Sequence, residues 1–95
     1  MTASTIQSTL TPVWKEYGVR KAVLFGSYAT GRANERSDVD LLVDSGLKGL
    51  AFTSLMEGIF EKLNKSVDVL DVTHIVKGSK IEREIQQTGV TIYEA

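Results

Sequence analysis

The sequence contains no cysteine and only one proline, and charges of neither sign predominate. The absence of cysteine excludes disulfide bonds, thiolate metal sites and thiol nucleophiles, so any metal must bind oxygen atoms or the single histidine, His74. The 11 basic and 12 acidic residues leave a formal net charge of −1 at pH 7. Such a balance lacks the positive field that neutralises phosphates, so we expect no tight binding to nucleic acid.

Long apolar segments are also missing. No run approaches the ~20 apolar residues that span a bilayer, and the first residues lack the basic and apolar regions of a signal peptide. We therefore expect a cytoplasmic protein that makes no membrane contact. With 95 residues, 42% of them hydrophobic, we expect a single domain over residues 1–95 and no separate substrate-binding domain.

Apolar periodicity and turn residues predict four helices that alternate with four strands. Apolar residues recur at helical spacing from Ile6 to Tyr17, with Pro12 kinking or restarting the helix, and they recur more clearly over 52–63. The strands are predicted at 21–25, 38–44, 66–72 and 90–94, with short helices after Gly26 and after Ser79. This order predicts an α/β or α+β fold, a small mixed sheet with helices packed on it.

Two aspartates, Asp38 and Asp40, fall on the same face of the second predicted strand because strand side chains alternate. Aspartate is depleted in strands, and carboxylates at this spacing repel each other unless a cation lies between them. Mg²⁺ prefers such oxygen ligands. If the third strand lies beside the second, Asp68 completes the cluster and helps to deprotonate an attacking hydroxyl. Alternatively, Asp38 caps a turn and the other two carboxylates point into solvent.

Gly26 and Ser27 come between the first predicted strand and a short helix. A helix N-terminus offers unpaired N–H groups and a positive dipole end, which suit a phosphate, and glycine lets the ligand approach closely. Together with the carboxylates, this turn predicts a site for a magnesium-bound nucleoside triphosphate. The alternative is ordinary helix capping, which we favour for the second Gly-Ser pair, at Gly78 and Ser79.

The segment 24–43, LFGSYATGRANERSDVDLLV, together with the later VDV, resembles the signature of the polymerase-β-like nucleotidyltransferase superfamily. More narrowly, nearly the whole chain resembles the minimal nucleotidyltransferases of HEPN/MNT toxin–antitoxin systems. By this resemblance Gly26 and Ser27 form the phosphate-binding turn, Asp38 and Asp40 are metal ligands, and Asp68 is the third carboxylate. The resemblance also implies a fold like the polymerase palm.

The implied activity is transfer of a nucleotide monophosphate, AMP from ATP, to a hydroxyl with the help of two Mg²⁺ ions. The implied acceptor is a tyrosine of a helical HEPN toxin, which would make the chain an antitoxin and part of a homo- or hetero-oligomer. Arg32 and Ser37 are predicted to contact the nucleotide as well. This chain has Thr30 where many relatives carry an arginine, and Arg32 lies two positions later.

Two alternatives remain open at the level of sequence. One is a binding module that neutralises its partner by contact without catalysis, which the Thr30 departure would permit. The other is an enzyme that transfers the nucleotide to a small molecule such as an antibiotic, although relatives of that kind usually carry an added domain.

Overall fold

Helices and strands alternate along the whole chain, and the computed structural model describes all residues from 1 to 95. Four α-helices, four β-strands and one short 3-10 turn follow one another. In chain order they are α1 (Ala3–Tyr17), β1 (Lys21–Phe25), α2 (Ser27–Thr30), β2 (Val39–Asp44), α3 (Leu50–Leu63), β3 (Val67–Asp71), the 3-10 turn (Val72–His74), α4 (Lys80–Thr88) and β4 (Val90–Glu94).

The four strands form one sheet in the order β3-β2-β1-β4. The chain pairs β1 with both β2 and β4 in antiparallel fashion, whereas β2 and β3 are parallel. The parallel pair is possible because α3 carries the chain back between β2 and β3, as such a crossover requires. The predicted mixed sheet with helices packed on it is therefore confirmed, and its order, which the sequence left open, is established.

Helices α1 and α3 pack together on one face of the sheet and enclose the core. Burial alternates strictly along β2, where every second residue is buried, as expected for a strand with one covered face. The main core side chains are contributed by α1 (Ile6, Leu10, Val13, Trp14), by β1 and β2 (Ala22, Leu24, Val39, Leu41, Val43) and by α3 (Leu55, Ile59, Leu63). Helix α4, which has no fully buried residue, lies against the opposite face.

The first helix differs from its prediction at two places. It begins at Ala3, three residues before Ile6, because the Thr2 side chain accepts a hydrogen bond from the Thr5 N–H and caps the helix. It also runs through Pro12 as one helix, so the predicted restart is wrong. The proline removes one N–H donor from the helix. The helix continues because its buried apolar residues on both sides of Pro12 pack into the core.

Three smaller features of the later elements also depart from prediction. In α3, Met56 and Phe60 remain 39% and 53% exposed, so only part of the predicted apolar stripe enters the core. The 3-10 turn after β3 was not predicted. At the start of α4, Ser79 caps the helix as expected, but Glu82 accepts its hydrogen bond from the Gly78 N–H. None of the helices has the length and apolar character that crossing a membrane requires.

Candidate active site

The turn between β1 and α2 brings backbone and carboxylate into contact. Gly26 has φ 76° and ψ −151°, a conformation that is almost restricted to glycine. A side chain is also excluded by space, because a Cβ atom at this position would overlap Oδ2 of Asp40. The predicted phosphate turn and one of the predicted metal ligands are thus neighbours.

Helix α2 starts directly after this turn, at Ser27. The Gly26 carbonyl accepts hydrogen bonds from the N–H groups of Ala29 and Thr30, at 3.1 and 3.2 Å. The earlier N–H groups of the helix, those of Ser27 and Tyr28, have no acceptor within the helix, as at any helix start. They lie beside the Ser27 hydroxyl and form the part of the turn that can bind an anion.

The strand pairing places two of the three predicted carboxylates side by side. Asp40 in β2 pairs with Asp68 in β3 in parallel register, so both side chains project from the same face of the sheet. The condition under which Asp68 was expected to join the cluster, adjacency of the second and third strands, is therefore met. Asp38 lies just before β2 and is exposed, as is Asp68, while Asp40 is half-buried.

The electrostatics of this cluster are unfavourable in the absence of a cation. Burial raises the pKa of Asp40 to about 6, with further upward contributions from the negative charges of Asp68, Glu84 and Asp38. No lysine or arginine forms an ion pair with any of these carboxylates, since the one ion pair of the chain joins Arg20 to Asp44 at 2.7 Å. A bound cation would relieve this repulsion.

The chemistry of the donor groups suits magnesium, because all of them are carboxylate oxygens. In this conformation, however, no group of three His, Asp or Glu side chains is arranged to hold a metal ion. Joint ligation by Asp38, Asp40 and Asp68 therefore requires the side chains to turn toward one another. Their assignment as metal ligands stays a prediction.

Helix α4 contributes two residues to the site that the sequence did not reveal. The Thr88 hydroxyl accepts a hydrogen bond from the Gly26 N–H at 2.9 Å. Oε1 of Glu84 lies 3.5 Å from the position that a Cβ of Gly26 would occupy, so this carboxylate also borders the turn. Neither residue belongs to a recognisable motif. Only the sheet order, with β4 next to β1, would have indicated that the preceding helix reaches Gly26.

The remaining predicted nucleotide contacts lie in the loop between α2 and β2. Arg32 is exposed and donates its backbone N–H to the Ser27 carbonyl at 2.9 Å, while its guanidinium group makes no hydrogen bond or ion pair. The Ser37 hydroxyl accepts from the Asn34 N–H at 2.9 Å and so stabilises the loop. Thr30 bonds weakly to carbonyls of its own helix. The structure thus brings Gly26, Asp40 and Asp68 together but shows no contact of Arg32 or Ser37 with them.

One further carboxylate is buried away from this cluster. At the end of a strand Asp71 would be expected at the surface or in a turn, yet it is only 2% exposed. Its carboxylate accepts hydrogen bonds from the hydroxyl and N–H of Ser45 and from those of Thr73. Burial pushes the pKa of Asp71 upward, but these bonds outweigh it and lower the pKa to about 2. His74, to which no role was assigned, accepts the Asp71 N–H through Nδ1 at 3.0 Å.

Comparison with known proteins adds a family match to this geometry. The family described as "Polymerase beta, Nucleotidyltransferase" matches residues 8–95. A provisionally named protein adenylyltransferase of Methanocaldococcus jannaschii is 36% identical over 77 residues, which cover 79% of this chain and 83% of that protein.

Solved structures share the fold at lower sequence identity. A toxin–antitoxin complex with AMP-PNP superposes with a TM-score of 0.76 at 20% identity, covering 94% of this chain and 73% of that one. A complex of the tri-AMPylated Shewanella oneidensis HEPN toxin with its MNT antitoxin gives a TM-score of 0.70 at 18% identity, covering 97% and 72%. These similarities extend to the whole sheet and the helices on it.

Proposed function

Because the chain belongs to the polymerase beta nucleotidyltransferase family, we propose that it transfers AMP from ATP to a hydroxyl of a partner protein and acts as an antitoxin. The observation that carries this proposal is the contact of the Asp40 carboxylate with the Gly26 turn, with Asp68 in register beside it. An anion-binding turn next to an uncompensated acidic cluster is what a magnesium-bound triphosphate requires.

In the proposed reaction, the turn binds the phosphates and the acidic cluster activates the acceptor hydroxyl. The Ser27 hydroxyl and the first N–H groups of α2 hold the outer phosphates and orient the triphosphate for in-line attack. Asp68, the most exposed strand carboxylate of the cluster, accepts the proton of the attacking hydroxyl. The α-phosphorus forms a bond to the acceptor oxygen as its bond to the pyrophosphate oxygen breaks. Most of the acceleration is positioning and charge neutralisation.

We further propose that two Mg²⁺ ions bind the carboxylates of Asp38, Asp40 and Asp68. Bound there, magnesium would neutralise the phosphate charge and lower the pKa of the attacking hydroxyl. The raised pKa of Asp40 supports this assignment, since a site with several negative charges and no basic partner favours cations. Arg32 and Ser37 stay in the proposal as nucleotide contacts that form when the loop between α2 and β2 adjusts to ATP.

The partner we propose is a helical HEPN-type toxin with an acceptor tyrosine. Two observations support a separate acceptor chain. The matched relative is named a protein adenylyltransferase, and the superposed structures are toxin–antitoxin complexes.

The test is to incubate the chain with a HEPN-type partner, ATP and Mg²⁺ and to measure the intact mass of the partner. We expect an added AMP, and we expect Asp40→Asn to slow the transfer by roughly 100-fold or more because the metal and phosphate lose their main carboxylate. Asp44→Asn is the matched control. Asp44 lies on the same strand and face but pairs with exposed Arg20, so its loss should leave the rate unchanged.

A second candidate function is neutralisation by contact alone, favoured by Thr30 at a position where many relatives have arginine. If the Asp40→Asn variant still neutralises the partner fully and the wild type adds no AMP to it, the chain is a binding module and the enzymatic proposal is wrong. Release of pyrophosphate with a small hydroxyl compound, and no partner present, would instead identify a small-molecule transferase.

A further inference from the structure

The Thr88 hydroxyl sits between α4 and the Gly26 turn and bonds to both. It donates to the Glu84 carbonyl at 2.8 Å and accepts from the Gly26 N–H at 2.9 Å. A threonine hydroxyl carries one proton, which here is used within the helix. A lone pair of the hydroxyl oxygen is therefore left to accept the Gly26 N–H. The bond to the Glu84 carbonyl orients the hydroxyl so that this lone pair faces Gly26.

The end of α4 that carries Thr88 is itself held on the sheet. The next residue, Gly89, packs so closely on β1 that an added Cβ would lie 3.1 Å from Cγ1 of Val23. One residue later β4 begins, and Val90 pairs with Leu24 of β1. The backbone at Thr88 is thus held against the same strand that leads into the turn, and it cannot move away from Gly26 without breaking sheet pairs.

Gly26 gains from such an attachment because its other hydrogen bonds, from the N–H groups of Ala29 and Thr30, hold only its carbonyl. Glycine loses more backbone freedom on ordering than any other residue, and this position has no side chain with which to cap α2. The Thr88 bond fixes the plane of the peptide between Phe25 and Gly26. The Gly26 carbonyl, which accepts the N–H groups of Ala29 and Thr30, fixes the next peptide plane, so both planes that flank Gly26 are held and with them the direction of the Ser27 N–H.

We propose that Thr88 is a positioning residue that preorganises the phosphate-binding turn from α4. The proposal rests on the function proposed above and deepens it. Thr88 does not touch the nucleotide. It occupies the Gly26 N–H, so the triphosphate is bound by the later N–H groups and by Ser27, whose geometry the Thr88 bond maintains. Preorganisation of this kind lowers the ordering cost of binding.

The test compares Thr88→Val, which keeps the shape of the side chain and removes both hydrogen bonds, with Thr88→Ser, which keeps them. We expect Thr88→Val to weaken binding of AMP-PNP with Mg²⁺ by about tenfold, in isothermal titration calorimetry, and to raise the KM for ATP more than it lowers kcat. Thr88→Ser should restore both values to near those of the wild type.

Thr11→Val is the matched structural control. The Thr11 hydroxyl donates to the Gln7 carbonyl at 2.7 Å, the same bond within a helix, but α1 does not reach the turn. A merely structural role of Thr88 predicts that neither valine variant changes the KM for ATP, whatever stability each of them loses. Equal nucleotide affinity of Thr88→Val and wild type, or tighter binding by the variant, would overturn the proposal.

Amide hydrogen exchange in the wild type tests the hydrogen bond between the Gly26 N–H and the Thr88 hydroxyl, called the clamp here, without any substitution and without nucleotide. We expect the Gly26 amide to exchange much more slowly than the amide of Tyr28, because only the first has an acceptor. Rapid exchange at Gly26 would contradict the clamp even if transfer activity is found. If the wild type shows the slow amide but binds no AMP-PNP, the clamp stands as a structural bond and the proposed function fails.

Discussion

Gly26 combines two requirements that no other residue type meets. Its backbone conformation, with positive φ and extended ψ, lies in a region that side chains exclude, and the Asp40 carboxylate fills the space where a Cβ would stand. Gly31 at the end of α2 also has a positive φ, 74°, but its surroundings are open to solvent. A side chain at Gly31 would therefore meet backbone strain alone, whereas a side chain at Gly26 would meet backbone strain and steric overlap with Asp40.

We expect Gly26→Ala to destabilise the fold by roughly 2–3 kcal/mol, the sum of backbone strain and displacement of Asp40, and to abolish nucleotide binding. Gly31→Ala carries about 1 kcal/mol of strain alone and should still bind AMP-PNP. Thermal unfolding and calorimetric titration measure both quantities. Nucleotide binding by Gly26→Ala equal to that of Gly31→Ala would show that the turn does not contact the phosphates.

At the scale of whole elements, the strands were predicted more accurately than the helix ends. The predicted bounds of β1 and β4 are those of the structure, because short apolar runs between turn residues leave little freedom. The start of α1 was missed because its cap, Thr2, precedes a stretch of small polar residues with no apolar period. The 3-10 turn was missed because nothing in the local sequence reveals that the Asp71 carboxylate is buried and caps it.

Asp71 joins the end of β3 to the segment after β2 and to the 3-10 turn. Replacing it by asparagine should reduce the free energy of unfolding by about 1–3 kcal/mol at pH 7, since hydrogen bonds from Ser45 and Thr73 lose their charged acceptor. Because the pKa is lowered in the fold, the stabilisation is complete above the ordinary value of 3.8 and is lost as the pH falls toward about 2.

Urea unfolding of wild type and Asp71→Asn over this acidic range provides the measurement. The difference in stability between the two proteins should shrink as the pH falls. Asp44→Asn, which removes an exposed ion pair, serves as the control and should cost at most about 1 kcal/mol at any pH. A stability difference for Asp71→Asn that stays constant down to about pH 2 would contradict the proposed role of its ionised carboxylate.

Over the whole molecule, the near-neutral charge conceals a local imbalance. Four carboxylates, those of Asp38, Asp40, Asp68 and Glu84, interact on one face of the sheet without a basic partner. The folded state therefore favours the protonated form of Asp40, whose pKa is raised to about 6, so stability falls as the pH rises from the ordinary pKa of 3.8 to about 6. Magnesium bound at the proposed site would reverse the sign of this effect.

Magnesium should consequently raise the melting temperature of the wild type at pH 7. At tenfold excess over its Kd the gain is about 1.4 kcal/mol, or roughly 5–10 °C for a chain of this size. Asp40→Asn should melt higher than the wild type without magnesium, since one repelling charge is gone, and should respond little to the ion. Sodium chloride at matched ionic strength is the control. An equal response of both proteins to magnesium would exclude Asp40 as a ligand.

The sequence predicted only those parts of the site whose residues are close to one another along the chain. Gly26 with Ser27, and Asp38 with Asp40, are close along the chain, and the period of the strand fixes which faces they share. Asp68 needed the strand order in addition. Thr88 is 62 residues from Gly26, to which it bonds, and Glu84 is 44 residues from Asp40, whose pKa it raises, and both residue types are common on helix surfaces. Nothing local distinguishes them from solvated residues.

The position of β4 at the outer side of β1 has a consequence for biosynthesis. Of the four strands of the sheet, β4 is synthesised after the others and gives β1 its second neighbour, and its pairing brings Thr88 next to Gly26. A nascent chain already carries all three aspartates by residue 68, yet its phosphate turn is still unsupported. ATP binding should therefore begin only when translation has passed β4, and prematurely terminated chains should be inactive toward the nucleotide.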